Sequence, residues 1–337
     1  MDTATHAVMG VGISGLATLD PVVAESSVTF QAVVLGIIIG SQAPDLDTVL
    51  KMKNNASYIT NHRGATHSIP AVILWSILIP AVIYIIFPGA DLFNLWLWTF
   101  LAVILHVFVD IFNAYGTKAL EPFKDRWIAL GAINIFDPFI FFSHMAGILF
   151  WILGAHPGYT FLIIYGILVV YYLWRMKARN YVIRRVSKLH PHATHIFISP
   201  TYRWSEFHLV IRTRYHFHVA TWKKKNIRYL ESYPFEPIPA DPIVQAALED
   251  VNLTAFLSFS PAYRWEVKET VHGYDVIFTD LRYRSAGYYP FLTIVQLDQN
   301  LNIEGSYTGW IFNLKKLERK LERSRSHKKK TQLLNAT

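Results

Sequence analysis

Four long apolar stretches dominate the first half of the chain, over residues 69–87, 92–109, 139–154 and 159–174. The first two have the length of a bilayer span, and the last two fall slightly short of it. Two weaker segments precede them, 7–19 and 30–43, both rich in Gly, Ala and Ser. Small residues let helices approach closely, so this pair is expected to form a tight hairpin. The pattern predicts a polytopic α-helical membrane bundle of about six helices; the alternative is four spans with two buried or re-entrant helices. From His195 onward the period changes to two. β-Branched and aromatic residues alternate over 194–199, 207–213, 217–222, 265–271, 274–279 and 291–297, which predicts short antiparallel strands, with a helix over 242–251 between them. After Gly309 the chain reads as a basic helix, lying on a membrane or simply solvated. The expected organisation is a membrane-embedded domain over 1–176, a basic linker over 177–193, a β-rich (α+β) soluble domain over 194–311 and a basic helical tail over 312–337.

Composition sharpens this division. Hydrophobic residues make up 52% of the 337 positions and charged residues only 17%, too apolar a balance for an ordinary soluble protein. There is no Cys, which excludes disulfides, thiolate metal sites and a Cys nucleophile, so any metal site must use His and carboxylate. Residues 1–176 hold 7 Lys/Arg against 10 Asp/Glu, and residues 177–337 hold 25 against 14, so a net −3 is followed by +11. On a six-span topology, Lys51, Lys53, Arg63, Lys118, Lys124, Arg126 and Arg175 all fall on the face that also carries both termini. By the positive-inside rule that face is cytoplasmic, giving a multi-pass protein of the plasma membrane. Residues 1–6 lack the basic leader of a secretory signal, so the first segment is expected to stay in the mature protein. The basic run Arg175, Lys177, Arg179, Arg184, Arg185 and Lys188 is placed to rest on anionic headgroups.

Ionisable residues near membrane spans are costly and tend to be paired or functional. Here they converge. His6 opens the first segment, Asp45 and Asp47 end the second, His62 and His67 precede the third, His106 and Asp110 end the fourth, and Asp137 precedes the fifth. The topology brings all of them to one membrane face. Imidazole and carboxylate form mixed N/O sites for Zn, Mn or Fe, and a bridging carboxylate lets two ions approach. His106 and Asp110 are four apart and share a helix face. After Pro44, one of Asp45 and Asp47 is expected to bind metal while the other serves as base or outer partner. The loop 63–66 is expected to be flexible enough to bring His62 and His67 to one site. Plainer readings stand beside these. Asp137 before Pro138 reads equally as a helix N-cap, and Ser68 reads as a cap. His6 can be interfacial, and His144 and His156 read as packing and loop residues. The histidines of the second half (His190, His192, His195, His208, His216, His218, His272 and His327) read as surface or structural.

These strings resemble a known family. Thr5-His6, the run 40–47 ending Pro44-Asp45-Leu46-Asp47, the string His62-Arg63-Gly64-Ala65-Thr66-His67-Ser68 and His106-x-x-x-Asp110 are similar to the YdjM family of predicted membrane-bound metal-dependent hydrolases, over about residues 1–176. More distantly they resemble the zinc-dependent phospholipase C and P1 nuclease group. That resemblance implies an all-helical fold in which His6, Asp45, His62 or His67, His106 and Asp110 are ligands and Asp110 is a bridge. The chain begins Met-Asp where that group has Trp, and it lacks a downstream His-x-x-x-Glu, which implies one or two ions rather than three.

The expectation is a metal-dependent hydrolase with a divalent metal, Zn or else Mn or Fe, at the cytoplasmic interface. Asp47 or Asp45 would accept or orient a proton, and Arg63 would hold developing negative charge. The partners expected are membrane lipids and an amphiphilic phosphoester or ester substrate. The rival is a non-catalytic metal-binding or sensing membrane protein whose basic tail recruits a partner. Nucleic acid is not expected, because only charge and interleaved aromatics such as Arg203-Trp204 and Arg282-Tyr283-Arg284 suggest it.

Overall fold

A computed structural model describes residues 1–124, 126–285 and 287–335. The last two residues of the basic tail, and the tail side chains from His327 on, lie outside the described part. The chain forms two compact units: Met1–Thr48 with His62–Val182 and Pro200–Glu206, and Val49–Asn61 with Ile183–Ser199 and the chain from Phe207 on.

The helices in chain order are α1 (Thr3–Leu16), α2 (Pro21–Glu25), α3 (Ser27–Gly40), α4 (Asn55–Asn61), α5 (Ile69–Ile86), α6 (Leu92–Asp110), α7 (Pro138–Ile152) and α8 (Pro157–Leu189), with a 3-10 stretch over Ala43–Met52 after α3. All except α4 and the ends of the 3-10 stretch and α8 belong to the first unit. Their starts follow from local chemistry. Asp2, Asp20, Ser68, Asp91 and Asp137 each accept a first-turn amide, and Pro sits in the first turn of α2, α5 and α7. The small residues let α1 and α3 pack closely. A Cβ on Gly15 would lie 2.4 Å from the Phe161 ring on α8, and one on Gly36 would lie 2.3 Å from Thr99 Oγ1 on α6.

Three helices, α5, α6 and α8, are long and apolar enough to cross a membrane, or four if α3 and the 3-10 stretch, bent by 47°, form one span. Length is the physical reason that six are not met. α1 has 14 residues and α7 has 15, each covering only about 21–23 Å of a hydrocarbon core about 30 Å thick. α8 has 33 residues and runs about 50 Å, straight through positions 177–189 that read as linker. No Pro or Gly interrupts it between Gly166 and Pro191, and its basic end is rich in good helix formers. Arg175 is buried within it, its Nε donating to Ala132 O at 2.9 Å.

The second unit holds two four-stranded antiparallel meanders, β1 (His195–Pro200), β2 (Phe207–Arg212), β3 (His216–Lys223) and β4 (Asn226–Pro234), then β5 (Tyr263–Thr270), β6 (Gly273–Asp280), β7 (Phe291–Asp298) and β8 (Ile303–Trp310). Between the sheets come α9 (Pro242–Leu248) and α10 (Val251–Phe259), capped by Asp241 and Asp250, and α11 (Leu314–Asn335) follows β8. Phe256 of α10 stacks on Phe291 of β7, with centroids 5.5 Å apart. Leu321 of α11 packs with Ile294 and Tyr307 of β7 and β8. Strands β4 and β8 were not expected. β4 is a largely exposed strand whose alternation is weak, and β8 contains Gly305 and Gly309.

Candidate metal centre

Every piece of the centre lies in the first unit. At the C-terminal end of α6, His106 and Asp110 lie one turn apart, with His106 Nε2 3.8 Å from Asp110 Oδ2. The Nδ1–H of His106 donates to Ser41 O at 2.7 Å, which fixes the tautomer and turns Nε2 inward. Asp45, carried by the 3-10 stretch after Pro44, brings Oδ1 to 3.7 Å from His106 Nε2 and 3.6 Å from His67 Nε2. His67 Nε2 is 3.4 Å from Asp110 Oδ2. The four groups Asp45, His67, His106 and Asp110 thus offer ligand atoms all within 4.8 Å of one another. Each of these atoms, Asp45 Oδ1, His67 Nε2, His106 Nε2 and Asp110 Oδ2, is buried without a hydrogen-bond partner.

Leaving a buried polar atom unsatisfied costs about 1–3 kcal/mol, so four of them converging on one point call for a shared partner. A divalent cation fits. The separations of 3.4–3.8 Å are close to the edge of about 3.4 Å between ligands around one four-coordinate ion, and two imidazole nitrogens with two carboxylate oxygens suit Zn, Mn or Fe. Burial depresses the His67 pKa well below its ordinary value, keeping the ring neutral as a ligand must be.

Around this core sits a set of supporting contacts. His67 Nδ1 is 3.0 Å from Thr66 Oγ1, and that hydroxyl donates to Asp47 Oδ2 at 2.7 Å. Asp47 also accepts the Arg63 amide at 2.9 Å and bonds His62 Nδ1 at 2.6 Å. The loop expected to be flexible is therefore pinned. Arg63 adopts a left-handed φ of 60°, held by several bonds: its carbonyl accepts from Lys118 N and Thr117 Oγ1, and its Nη2 donates to Met1 O at 2.7 Å. Such strain in a non-Gly residue persists only where its surroundings over-determine it. Arg63 Nε lies 3.2 Å from Asp110 Oδ2, so the guanidinium offsets that buried charge.

His6 stacks on His106 with centroids 3.6 Å apart, and its Nε2 is 3.4 Å from Asp110 Oδ1 and 2.9 Å from the Met1 amine. That amine is also in contact with Asp110 Oδ1, and burial lowers its pKa. His62, with a side chain 20% exposed, belongs to a second, adjoining group with Asp45 and Asp47.

Asp137 stands apart from both groups. Its Oδ1 accepts the Phe139 and Ile140 amides and its Oδ2 accepts the Tyr171 hydroxyl at 2.7 Å, the geometry of a cap. Sequence reasoning did not single out Ser41, Thr66, Asn113 or Thr117. Asn113 folds the turn after α6 by accepting the Tyr115 and Gly116 amides. Thr66, inside the His-Arg-Gly-Ala-Thr-His string, and Ser41, inside the run 40–47, carried a signal that could have found them.

Comparison with known proteins agrees with this division. The model of the YdjM inner membrane protein family matches residues 1–182, that of the YfhP middle domain matches 191–233 and that of the YfhP C-terminal alpha/beta plait domain matches 242–321. The chain is 52% identical over 323 residues to the uncharacterized protein YfhP of Bacillus subtilis strain 168, covering 96% of this chain and 99% of that one. No solved structure matches. With a helical first unit bearing a buried His/Asp cluster and a two-sheet second unit, the chain belongs to the YdjM inner membrane protein family.

Proposed function

We propose that this protein is an integral membrane metal-dependent hydrolase that cleaves a phosphoester or ester of an amphiphilic, lipid-like substrate. The observation that carries the reading is the convergence of four buried ligand atoms without a hydrogen-bond partner, from Asp45, His67, His106 and Asp110. These residues would hold one ion, and the contact of His6 with Asp110 would serve a second. A divalent cation supplies Lewis acidity, lowering the pKa of water towards neutrality and polarising a scissile oxygen. The chain's own residues do the rest. Asp47 spends its oxygens on His62, the Arg63 amide and Thr66, so it orients rather than accepts. His62, partly exposed and held through Nδ1 by Asp47, takes the proton, in an orienting pair like that of a catalytic triad. Arg63 holds the Asp110 carboxylate in place and stabilises developing negative charge.

Placement supports a lipid-like substrate. The cluster lies at the end of α6, one of the helices able to cross a membrane, and the same helix contributes Leu105 and Val109 to an apolar cavity of about 210 Å³ lined also by Met9, Leu168 and Tyr172. We place the protein in the plasma membrane as a multi-pass protein with both termini in the cytoplasm.

The test is turnover of short-chain phosphodiester and carboxylester lipids by detergent-purified protein loaded in turn with Zn, Mn and Fe. Activity with at least one metal, lost in His106→Ala, is expected. A protein that binds metal yet hydrolyses none of them would contradict the enzymatic reading and favour metal sensing.

A further inference from the structure

The chain leaves the first unit after Thr48, forms α4 within the second unit, and returns at His62. The residues on either side of this excursion are those of the metal centre: Asp45 and Asp47 before it, His62 and His67 after it. Within the second unit, α4 packs on α10 and β8, and Ala56 is buried. A bond to β8 helps to fix its register. Asn55 Nδ2 donates to Thr308 O of β8 at 2.8 Å. Gly309 beside it has φ +139°, and a Cβ there would lie 2.9 Å from Asn55 Nδ2, so the strand makes room for the amide. The start of α4 is secured from the other side by Asn54, whose Oδ1 accepts the Ser57 amide at 2.7 Å.

We propose that the C-terminal α/β domain acts as a clamp on the metal centre, with Asn55 as the positioning residue through which it holds the ligand loop. The inference rests on reading residues 45–67 as the ligand-bearing loop of the proposed function. The physics is loop closure. Asp47 must meet His62, the Arg63 amide and Thr66 across an intervening excursion of the chain, and closing a free loop of that length costs conformational entropy. Anchoring α4 on β8 within the second unit shortens the free chain on either side of it and so lowers that cost. Release of α4 would loosen the Asp47 bonds first, and through Thr66 it would free the His67 ring. The clamp also gives the domain a role without chemistry of its own: whatever occupies or displaces α4 on the α10 and β8 surface sets the order of the ligand loop.

The test uses the full-length, metal-free protein in detergent and reads amide hydrogen exchange of the 62–68 segment, which contains the Arg63 and His67 amides. Asn55→Ala is compared with Asn252→Ala, which removes a bond of the same length, Asn252 Nδ2 to Ser306 Oγ at 2.8 Å, that joins α10 to β8 rather than α4 to β8. Asn55→Asp, which keeps the shape but has no donor, serves if the alanine variant does not fold. The clamp predicts that exchange over 62–68 quickens at least fivefold in the Asn55 variants and is unchanged in Asn252→Ala, while exchange over 291–310 stays protected in both. Unchanged exchange in the Asn55 variants, or an equal rise in Asn252→Ala, would overturn it. Zn affinity is the second readout, with a loss of about tenfold expected for Asn55→Ala. If the wild type takes up no metal, the hydrolase reading fails while the exchange comparison still decides the clamp.

Discussion

Replacing Thr66 by Val isolates the outer contacts of the metal centre. The two side chains have nearly the same shape, so the substitution deletes one hydroxyl and little else. That hydroxyl stands 3.0 Å from His67 Nδ1 and 2.7 Å from Asp47 Oδ2. Without it, the ring nitrogen of a fully buried histidine loses its partner, at about 1–3 kcal/mol, and nothing else fixes which tautomer presents Nε2 to the cluster. Asp47 retains the Arg63 amide and His62, so the loop itself should persist. Removing such an outer partner weakens metal affinity by about 10–100-fold, or about 1.4–2.7 kcal/mol. Competition for Zn against chelators of graded strength, in detergent, measures this directly, and Thr66→Ser, which restores a hydroxyl, should recover most of the loss. Equal affinities for wild type and Thr66→Val, or a Thr66→Ser variant as weak as Thr66→Val, would refute the reasoning.

Three other expectations follow from particular contacts. His62→Ala should retain metal and lose turnover by 100-fold or more, in the range of a general base, whereas His67→Ala should lose the metal itself; parallel metal and activity assays separate the two. Gly36→Val places a side chain against Thr99 Oγ1, 2.3 Å from the added Cβ, and overpacking of this kind costs about 1–3 kcal/mol, seen as a lower thermal midpoint that Thr99→Ala partly restores. His208 is buried with Nε2 donating to Leu281 O at 2.9 Å, and burial lowers its pKa. The folded chain keeps this ring neutral while an unfolded chain protonates it below about pH 6.5. Stability is therefore present above that pH and is lost as pH falls through it, by up to about 1.4 kcal/mol per pH unit. Exchange protection of the 207–223 segment should show this slope, and His208→Gln should remove its share of it.

The ligand-bearing motifs were legible because helix geometry is regular. His106 and Asp110, four apart on an uninterrupted apolar helix, had to share a face, and Gly-rich segments beside long spans had to pack closely. What stayed hidden was decided by short-range backbone geometry that residue types do not specify. Whether Asp45 or Asp47 faces the cluster depends on a 3-10 turn, and that turn sends Asp45 inward while Asp47 closes the loop to His62 and Thr66. Asp137 belongs to a cap because Tyr171, far along the chain, occupies its second oxygen. The basic stretch after Trp174 carries linker-like charge, yet its helix formers continue α8 to Leu189. β8 escaped notice because Gly305 and Gly309 weaken its alternation, and the same small residues leave room for α11 and Asn55: a Cβ on Gly305 would lie 2.9 Å from Arg325 Cγ.

The central claim is that Asp45, His67, His106 and Asp110 hold a divalent cation. Metal content per chain, measured on detergent-purified wild type beside folded His106→Ala and Asp110→Ala, tests it most directly. The account predicts about one or two equivalents of Zn, Mn or Fe in the wild type and their loss in both variants. A folded wild type that stays metal-free after all three metals are offered, or variants that keep the wild-type content, would contradict it.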